Sequence, residues 1–155
     1  MIGAMIGDIV GSVYEWHNVK TTDFVFLKEN CHFTDDTVLT AATAKALMTD
    51  GDYAAAYQDF ARRYPRRGYG GNFSQWIWSE DPQPYNSWGN GSAMRVSPVG
   101  FAFDSVKEVL AEAERSAAVT HNHPEGIKGA QSTALAILMS RQGASQADIR
   151  TEISG

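Results

Sequence analysis

The sequence predicts an all-α protein, and three observations support this class. About seven segments place apolar residues at helical spacing, whereas the apolar–polar alternation of a half-buried strand is almost absent. Capping residues precede several of these segments, and glycine or proline follows them. The chain has 155 residues, 43% of them hydrophobic, which is enough for one domain with a substantial core. We therefore expect residues 1–155 to form a single domain without internal repeats or interdomain linkers.

The first predicted helix covers residues 2–17 and contains a glycine at every fourth position. These glycines, which would lie along one side of the helix, are Gly3, Gly7 and Gly11. Each costs a helix about 1 kcal/mol relative to alanine, so their spacing predicts close packing of the backbone against a neighbour. Asp8 and Glu15 lie two turns apart on one face. Asp8 is either a solvated or capping carboxylate or a functional one.

The second predicted helix begins with two adjacent carboxylates. Residues 18–33 form an irregular connector, after which Thr34 is a suitable N-cap and Asp35 and Asp36 occupy the first turn. Free backbone N–H groups and the positive end of the helix dipole favour carboxylates at this position. The pair is therefore either an acidic helix start or, together with the threonine hydroxyl, a set of oxygen ligands for Mg²⁺ or Mn²⁺.

Capping residues and prolines mark the ends of the remaining predicted helices. Asp52 caps a helix that Pro65 ends, and Pro98 starts or kinks the next one. Pro124 suits the first turn of a later helix, and Ser145 caps the last. The predicted ranges after the first helix are 34–49, 53–64, 93–103, 106–119, 124–142 and 146–153.

A long irregular stretch, residues 65–92, separates two of these helices. It contains two glycine clusters, at residues 68–71 and 89–91, and several aromatic side chains that argue against disorder. Glycine-rich loops expose backbone N–H groups that can hold an anion. Neither cluster matches a Walker or Rossmann pattern, so each is either an anion-binding loop or a simple turn.

Two histidines lie in the break before the helix at Pro124. His121 and His123 either cap that helix or take part in a site. His-x-His spacing can serve zinc, but no cysteine or third histidine has suitable spacing, so we do not expect a zinc site. The sequence also lacks the Gly-x-Ser-x-Gly elbow and the residue order of a Ser-His-Asp triad.

Charge and cysteine content argue against several functions. The 13 basic and 18 acidic side chains give a net charge of −5 without a strong basic patch, so we expect no nucleic-acid partner. The single Cys31 cannot form an internal disulfide and fits a reducing compartment. The N-terminus has no basic region and Asp8 interrupts its apolar run, so we expect no signal peptide and no association with a membrane. These observations predict a cytoplasmic protein.

Five ordered motifs together resemble the ADP-ribosylglycohydrolase family, which includes the dinitrogenase reductase-activating glycohydrolases. The motifs are the segments 7–15 (GDIVGSVYE), 33–37 (FTDDT), 67–71 (RGYGG), 89–95 (GNGSAMR) and 120–126 (THNHPEG). The resemblance runs from residue 2 to about residue 140. Because it comprises five motifs in the same order, it is highly specific.

The resemblance implies an orthogonal bundle of helices around two Mg²⁺ or Mn²⁺ ions. By this analogy Thr34, Asp35 and Asp36 are metal ligands, and Glu15, Asp35 and Asp36 are the catalytic acids. Glu15 would position or deprotonate a water molecule. The residues implied to bind the diphosphate and ribose of ADP-ribose are Gly68, Gly70, Gly71, Gly91, Ser92, Met94 and His121. The implied reaction is hydrolysis of the glycosidic bond between ADP-ribose and a modified side chain or small molecule.

The chain departs from the family after His123. Family members are longer, and a later Asp-x-Asp-Thr/Ser segment supplies further metal ligands. The remaining acids of this chain, Glu125, Asp148 and Glu152, do not form that segment. We therefore expect the N-terminal part of the family fold, incomplete at its C-terminus and without half of the two-metal site. A non-catalytic ADP-ribose-binding or interaction module is the alternative function.

An incomplete bundle is expected to leave apolar helix faces uncovered. Candidates are the stripe through Ile127, Ile137 and Leu138 and the faces of the first helix. A few hundred Å² of exposed apolar surface costs several kcal/mol at about 25 cal/mol per Å², which is comparable with the whole stability of a domain. We therefore expect the chain to associate with itself or with a complementing chain, or to fold poorly alone.

Overall fold

The computed structural model describes residues 1–154, and all regular structure within them is helical. The helices are α1 (Ile2–Gly11), α2 (Asp35–Leu47), α3 (Tyr53–Arg63), α4 (Gly71–Trp76), α5 (Gly91–Arg95), α6 (Ser97–Ala102), α7 (Val106–Ala118), α8 (Pro124–Arg141) and α9 (Gln146–Ser154). The predicted all-α class is confirmed. None of these helices is both long and apolar enough to cross a lipid bilayer.

Two clusters of buried side chains form the core. The first joins α2, α3 and α4 and contains Leu39, Ala42, Ala46, Tyr53, Tyr57, Ala61, Phe73, Trp76 and Ile77. The second joins α6, α7 and α8 and contains Val96, Val99, Val109, Ala113, Ala117, Ala130, Ala134, Leu135 and Leu138. Leu47, at the end of α2, packs against both clusters. Because alanine and valine dominate the second cluster, α7 and α8 can approach each other closely.

Most long helices begin where their capping residues predict. Side chains at five helix starts accept a hydrogen bond from a backbone N–H of the first turn: Thr34, Asp52, Ser105, His123 and Ser145. The predictions missed α4, which lies inside the stretch expected to be irregular. This helix has only six residues, and it forms because Phe73 and Trp76 bury their rings in the first core cluster. Tertiary packing here overrides a weak local signal.

The first helix differs from its prediction in two ways. It ends at Gly11 rather than at residue 17, because the Ser12 hydroxyl donates back to the Ile9 carbonyl and Tyr14 is anchored in the connector that follows. The Tyr14 hydroxyl donates to the Val25 carbonyl at 2.6 Å. The expectation of close packing along the glycines is wrong for the described residues. A Cβ added at any of the three would have no heavy atom from outside its own stretch of helix within 4 Å.

Of the two apolar faces that the sequence predicted to be uncovered, one is covered in the structure and the other is exposed. The α8 stripe is not open, because Leu138 is fully buried in the second core cluster and the two isoleucines are partly buried. The face of α1 is open, since Ile2 is 71% and Ile6 is 47% exposed. Ile2 lies with Met48 in an apolar groove of about 620 Å³ between α1, α2 and α6. Self-association through such a face stays a prediction.

Candidate active site

The start of α2 has the geometry that its sequence predicts. Thr34 is the N-cap, and its hydroxyl oxygen accepts a hydrogen bond from the Asp36 N–H at 3.4 Å. The Asp35 N–H donates to the Arg67 carbonyl at 2.8 Å, which ties the helix start to the first glycine loop. Both aspartates therefore occupy a rigid first turn in contact with the loop at residues 67–71.

Asp8 of α1 is a capping carboxylate, but it caps α2 rather than its own helix. It accepts hydrogen bonds from the backbone N–H groups of Thr34 (2.8 Å) and Thr37 (3.2 Å). The hydroxyl groups of the same two threonines also donate to it. The Thr34 hydroxyl gives its proton to Asp8 and accepts the Asp36 N–H, so one lone pair of its oxygen remains available to a cation. Sequence patterns do not show this contact, since its partners are more than twenty positions away.

The two aspartates lie in an acidic environment without a compensating cation. Burial, followed by the charge of Asp36, raises the pKa of Asp35 to about 6, and the charges of Asp8 and Glu15 act in the same direction. Burial, followed by the charges of Asp8 and Glu15, also raises the pKa of Asp36. Neither aspartate forms a salt bridge among residues 1–154. A bound cation would relieve this repulsion.

The structure brings Glu15 close to the helix start. Glu15 is exposed, and it lines a recess of about 340 Å³ together with Asp8, Thr34 and Asp36. Within residues 1–154, no three His, Cys, Asp or Glu side chains are arranged to hold a metal ion by themselves. The local donor set is two carboxylates and a hydroxyl, which suits a hard cation that keeps part of its water shell.

A larger cavity of about 440 Å³ opens on the other side of Asp35. Five of the seven residues predicted to bind substrate line it: Gly70, Gly71, Gly91, Met94 and His121. Gly68 lies against Asp35 instead, where a Cβ would come within 3.1 Å of Oδ1, and its φ of +101° favours glycine. The Ser92 side chain is buried, and its hydroxyl donates to the Gly126 carbonyl at 2.7 Å, away from the cavity.

The two histidines of the 120–126 motif have separate positions. His123 is the N-cap of α8, and its Nδ1 accepts a hydrogen bond from the Glu125 N–H at 3.1 Å. His121 is buried at the wall of the cavity. Burial, followed by the charge of Arg95, lowers the pKa of His121 to about 4, so the ring is neutral at pH 7. His123 therefore caps the helix, as one of the two alternatives from the sequence predicts, whereas participation of His121 in a functional site stays a prediction.

Tyr85 and Arg95 are among the cavity-wall residues that were not predicted from the sequence. Tyr85 packs beside His121, with 6.1 Å between the two ring centroids. Arg95 belongs to one of the family motifs, yet no sequence signal indicates that its side chain is only 1% exposed. Arginine is almost never fully buried, so composition and periodicity predict a solvated side chain at this position.

We expect Asp35→Asn to stabilise the metal-free protein at neutral pH. The folded pKa of Asp35, about 6, exceeds its ordinary value of 3.8, so the folded state holds this proton more tightly. Its stabilising contribution is therefore present below about pH 4 and is lost as the pH rises through about 6. After allowance for solvent screening, the variant should gain about 1–2 kcal/mol at pH 7.5.

Urea unfolding in the presence of a chelator measures this effect at pH 7.5 and pH 4.5. The exposed Asp23→Asn serves as the control and should show no pH-dependent gain. A gain for Asp35→Asn that is equal at both pH values would contradict the electrostatic explanation.

Comparisons with known proteins give a consistent result. The family model for ADP-ribosylglycohydrolase matches residues 1–154. The ADP-ribosylhydrolase ARH3 of Mus musculus is 30% identical, with 96% of this chain and 50% of the relative covered. The ARH3 protein of Xenopus tropicalis is 28% identical, with 92% of this chain and 49% of the relative covered. The ARH3 protein of Homo sapiens is also 28% identical, with 96% of this chain and 50% of the relative covered. The chain thus spans about half the length of the curated relatives it matches.

Proposed function

Because the chain belongs to the ADP-ribosylglycohydrolase family, we propose that it takes part in metal-dependent hydrolysis of ADP-ribose linkages. The bond cleaved would be the glycosidic bond between ADP-ribose and a modified side chain or small molecule. One observation carries the proposal: the uncompensated carboxylates of Asp35 and Asp36 begin a rigid helix at the edge of a glycine-lined cavity. Cation and sugar-phosphate sites are then adjacent, as this reaction requires.

The cavity wall suits the diphosphate-ribose part of such a substrate. Gly70 and Gly71 have open space where a side chain would be, so a ligand can approach their backbone closely. Backbone N–H groups in such loops bind phosphate oxygens without a fixed positive charge. The volume of about 440 Å³ is within the usual range for small-molecule sites.

The acidic residues suit the chemistry at the anomeric carbon. Thr34, Asp35 and Asp36 would hold Mg²⁺ or Mn²⁺, which when bound supplies positive charge that orients ribose hydroxyls and water. Glu15, exposed in the recess beside Asp36, is available to accept a proton from the attacking water. Cleavage passes through an oxocarbenium-like transition state, whose developing positive charge the neighbouring carboxylates stabilise.

Hydrolysis of defined substrates tests this proposal. Peptides carrying ADP-ribose on arginine or on serine are incubated with the protein at increasing Mn²⁺ or Mg²⁺, and released ADP-ribose is measured. We expect metal-dependent release that Asp35→Asn/Asp36→Asn lowers by at least about 100-fold, because metal charge contributes several kcal/mol to such transition states. The exposed pair Asp23→Asn/Asp104→Asn, which removes the same charge elsewhere, should leave release unchanged.

The alternative is a non-catalytic module that binds ADP-ribose. The glycine-lined cavity supports it, because binding of ADP-ribose there does not require a metal ion. Calorimetry with ADP-ribose and with adenosine distinguishes the two functions. Tighter binding of ADP-ribose without release from any substrate supports the module, whereas equal affinity for both compounds, or none, contradicts both functions.

Gly91→Ala is expected to weaken ADP-ribose binding while leaving the fold intact. The new Cβ would lie 2.9 Å from both Cε1 and Nε2 of His121, so the buried imidazole ring must move. We expect at least about a tenfold loss of affinity, equal to about 1.4 kcal/mol. The control is Gly129→Ala, whose Cβ would make an ordinary 3.8 Å contact with Ala93. Wild-type affinity in Gly91→Ala would show that His121 does not contribute to binding.

A further inference from the structure

Arg95 is the only lysine or arginine that is buried within the described residues. Its Nη2 donates to the Ser116 carbonyl and to the Thr120 hydroxyl, each at 2.9 Å. Its guanidinium carbon lies 4.0 Å from the centroid of the Tyr57 ring. No carboxylate within residues 1–154 forms a salt bridge with it, and its Nε has no hydrogen-bond partner. Burying a charge without a carboxylate partner lowers the stability of the folded state. This cost indicates that Arg95 has a function that offsets it.

The hydrogen bonds of Thr120 determine which way protons point. The Thr120 hydroxyl is fully buried and lies 2.8 Å from Nδ1 of His121. A guanidinium group can only donate, so the hydroxyl oxygen accepts from Arg95. The Tyr85 side chain also lies near this hydroxyl, but within the described residues Nδ1 of His121 is the only other group that meets hydrogen-bond geometry with it. The hydroxyl proton is therefore assigned to Nδ1, the acceptor at 2.8 Å.

This assignment places the ring hydrogen of His121 on Nε2. Nδ1 is an acceptor, and the low pKa of His121, about 4, keeps the ring neutral at pH 7. Nε2 faces Gly91, another residue of the cavity wall, since a Cβ added there would come within 2.9 Å of it. It has no hydrogen-bond partner within residues 1–154, so its N–H remains available to a ligand in the cavity.

We propose that Arg95, acting through Thr120, fixes His121 as an Nε2–H donor to an oxygen of an anionic sugar-phosphate ligand in the cavity. Arg95 and Thr120 are positioning residues, and His121 is the binding residue. The same buried guanidinium adds positive charge at the cavity wall, which an anionic ligand compensates. The ligand class rests on the proposed function, whereas the direction of the hydrogen bonds rests on this structure alone.

Nitrogen-15 NMR of the His121 ring tests the direction of the hydrogen-bond relay, namely Arg95 to Thr120 and Thr120 to Nδ1 of His121, in the wild-type protein. We expect chemical shifts of a protonated Nε2 and an unprotonated, hydrogen-bonded Nδ1 at pH 7. The Nε2–H resonance should shift on addition of ADP-ribose and not on addition of adenosine. A protonated Nδ1, or an Nε2–H resonance that ADP-ribose leaves unchanged, would overturn the proposal without the need for any variant.

Two substitutions at Thr120 test its function. Thr120→Val keeps the shape but removes the hydroxyl, so we expect a mixture of His121 tautomers and at least about a tenfold loss of ADP-ribose affinity. Thr120→Ser keeps the hydroxyl and should retain the wild-type tautomer and most of the affinity, while adenosine binding changes little in both. Equal affinity of wild type and Thr120→Val would overturn the relay.

The same measurements separate this proposal from the function on which it rests. If the wild type fails to bind ADP-ribose, the ligand class and the proposed function are both wrong, although the tautomer can still be measured. If it binds normally with a protonated Nδ1, only the relay is wrong.

Discussion

Asp8→Asn is expected to lower the free energy of unfolding by about 2–4 kcal/mol, because one carboxylate satisfies four donors at the start of α2. An asparagine side chain has a single acceptor oxygen, and its NH₂ group would face threonine donors that it cannot satisfy. The variant also removes one charge that repels Asp35, so the measured loss is a net value. The first turn of α2, which carries both candidate ligands, should therefore become less ordered.

Urea unfolding gives the size of the loss, and amide exchange gives its location. We expect faster exchange of the Thr34 and Thr37 N–H groups in Asp8→Asn, since both donate to Asp8 in the native protein. The control Asp23→Asn removes an equal charge from an exposed connector position and should change stability by less than about 0.5 kcal/mol. Native-like protection of both amides in Asp8→Asn would refute the assignment of Asp8 as the cap of α2.

Gly100→Ala is expected to destabilise the protein by about 2–3 kcal/mol through overpacking. A Cβ at this position would lie 2.7 Å from the Ala134 carbonyl oxygen and 2.7 Å from the Ile137 Cβ. Because the first of these atoms belongs to the backbone of α8, α6 and α8 must move apart. That movement opens the second core cluster around Val99 and Leu138, where both side chains are fully buried.

Denaturant unfolding of Gly100→Ala should be compared with Gly7→Ala. Both glycines lie inside helices, so both variants gain the helix propensity of alanine, about 1 kcal/mol. A Cβ at Gly7 has open space around it, so this control should be stabilised. If the two variants are stabilised equally, the contact between α6 and α8 is looser than the structure indicates.

Local signals predicted the helices well because caps act within a few residues. Thr34, Asp52 and Pro124 each mark a helix start through a neighbouring N–H or through a fixed φ, and each start is confirmed. The end of α1 and the presence of α4 depend instead on distant partners of Tyr14 and Trp76, which no local pattern shows. Their prediction therefore failed for a physical reason, namely that tertiary contacts decide them.

The candidate site was predictable as a set of motifs but not as an arrangement. The family motifs identified Asp35, Gly91 and His121, which now lie around one cavity. They gave no indication that Asp8 caps another helix or that Arg95 is buried behind His121. Both facts are long-range contacts of polar side chains, and polar residues leave no periodic pattern from which burial can be inferred.

The carboxylates lie on a capped helix, whereas part of the cavity wall lies on a loop, and this difference has an evolutionary consequence. Asp35 and Asp36 are fixed by the first turn of α2, whereas Tyr85, Ser87 and Gly89 contribute to the wall from the loop between α4 and α5. Loop residues tolerate substitution and insertion far better than a capped helix start does. Lineages that keep the helix start can therefore diverge in the molecules they accept by altering one loop.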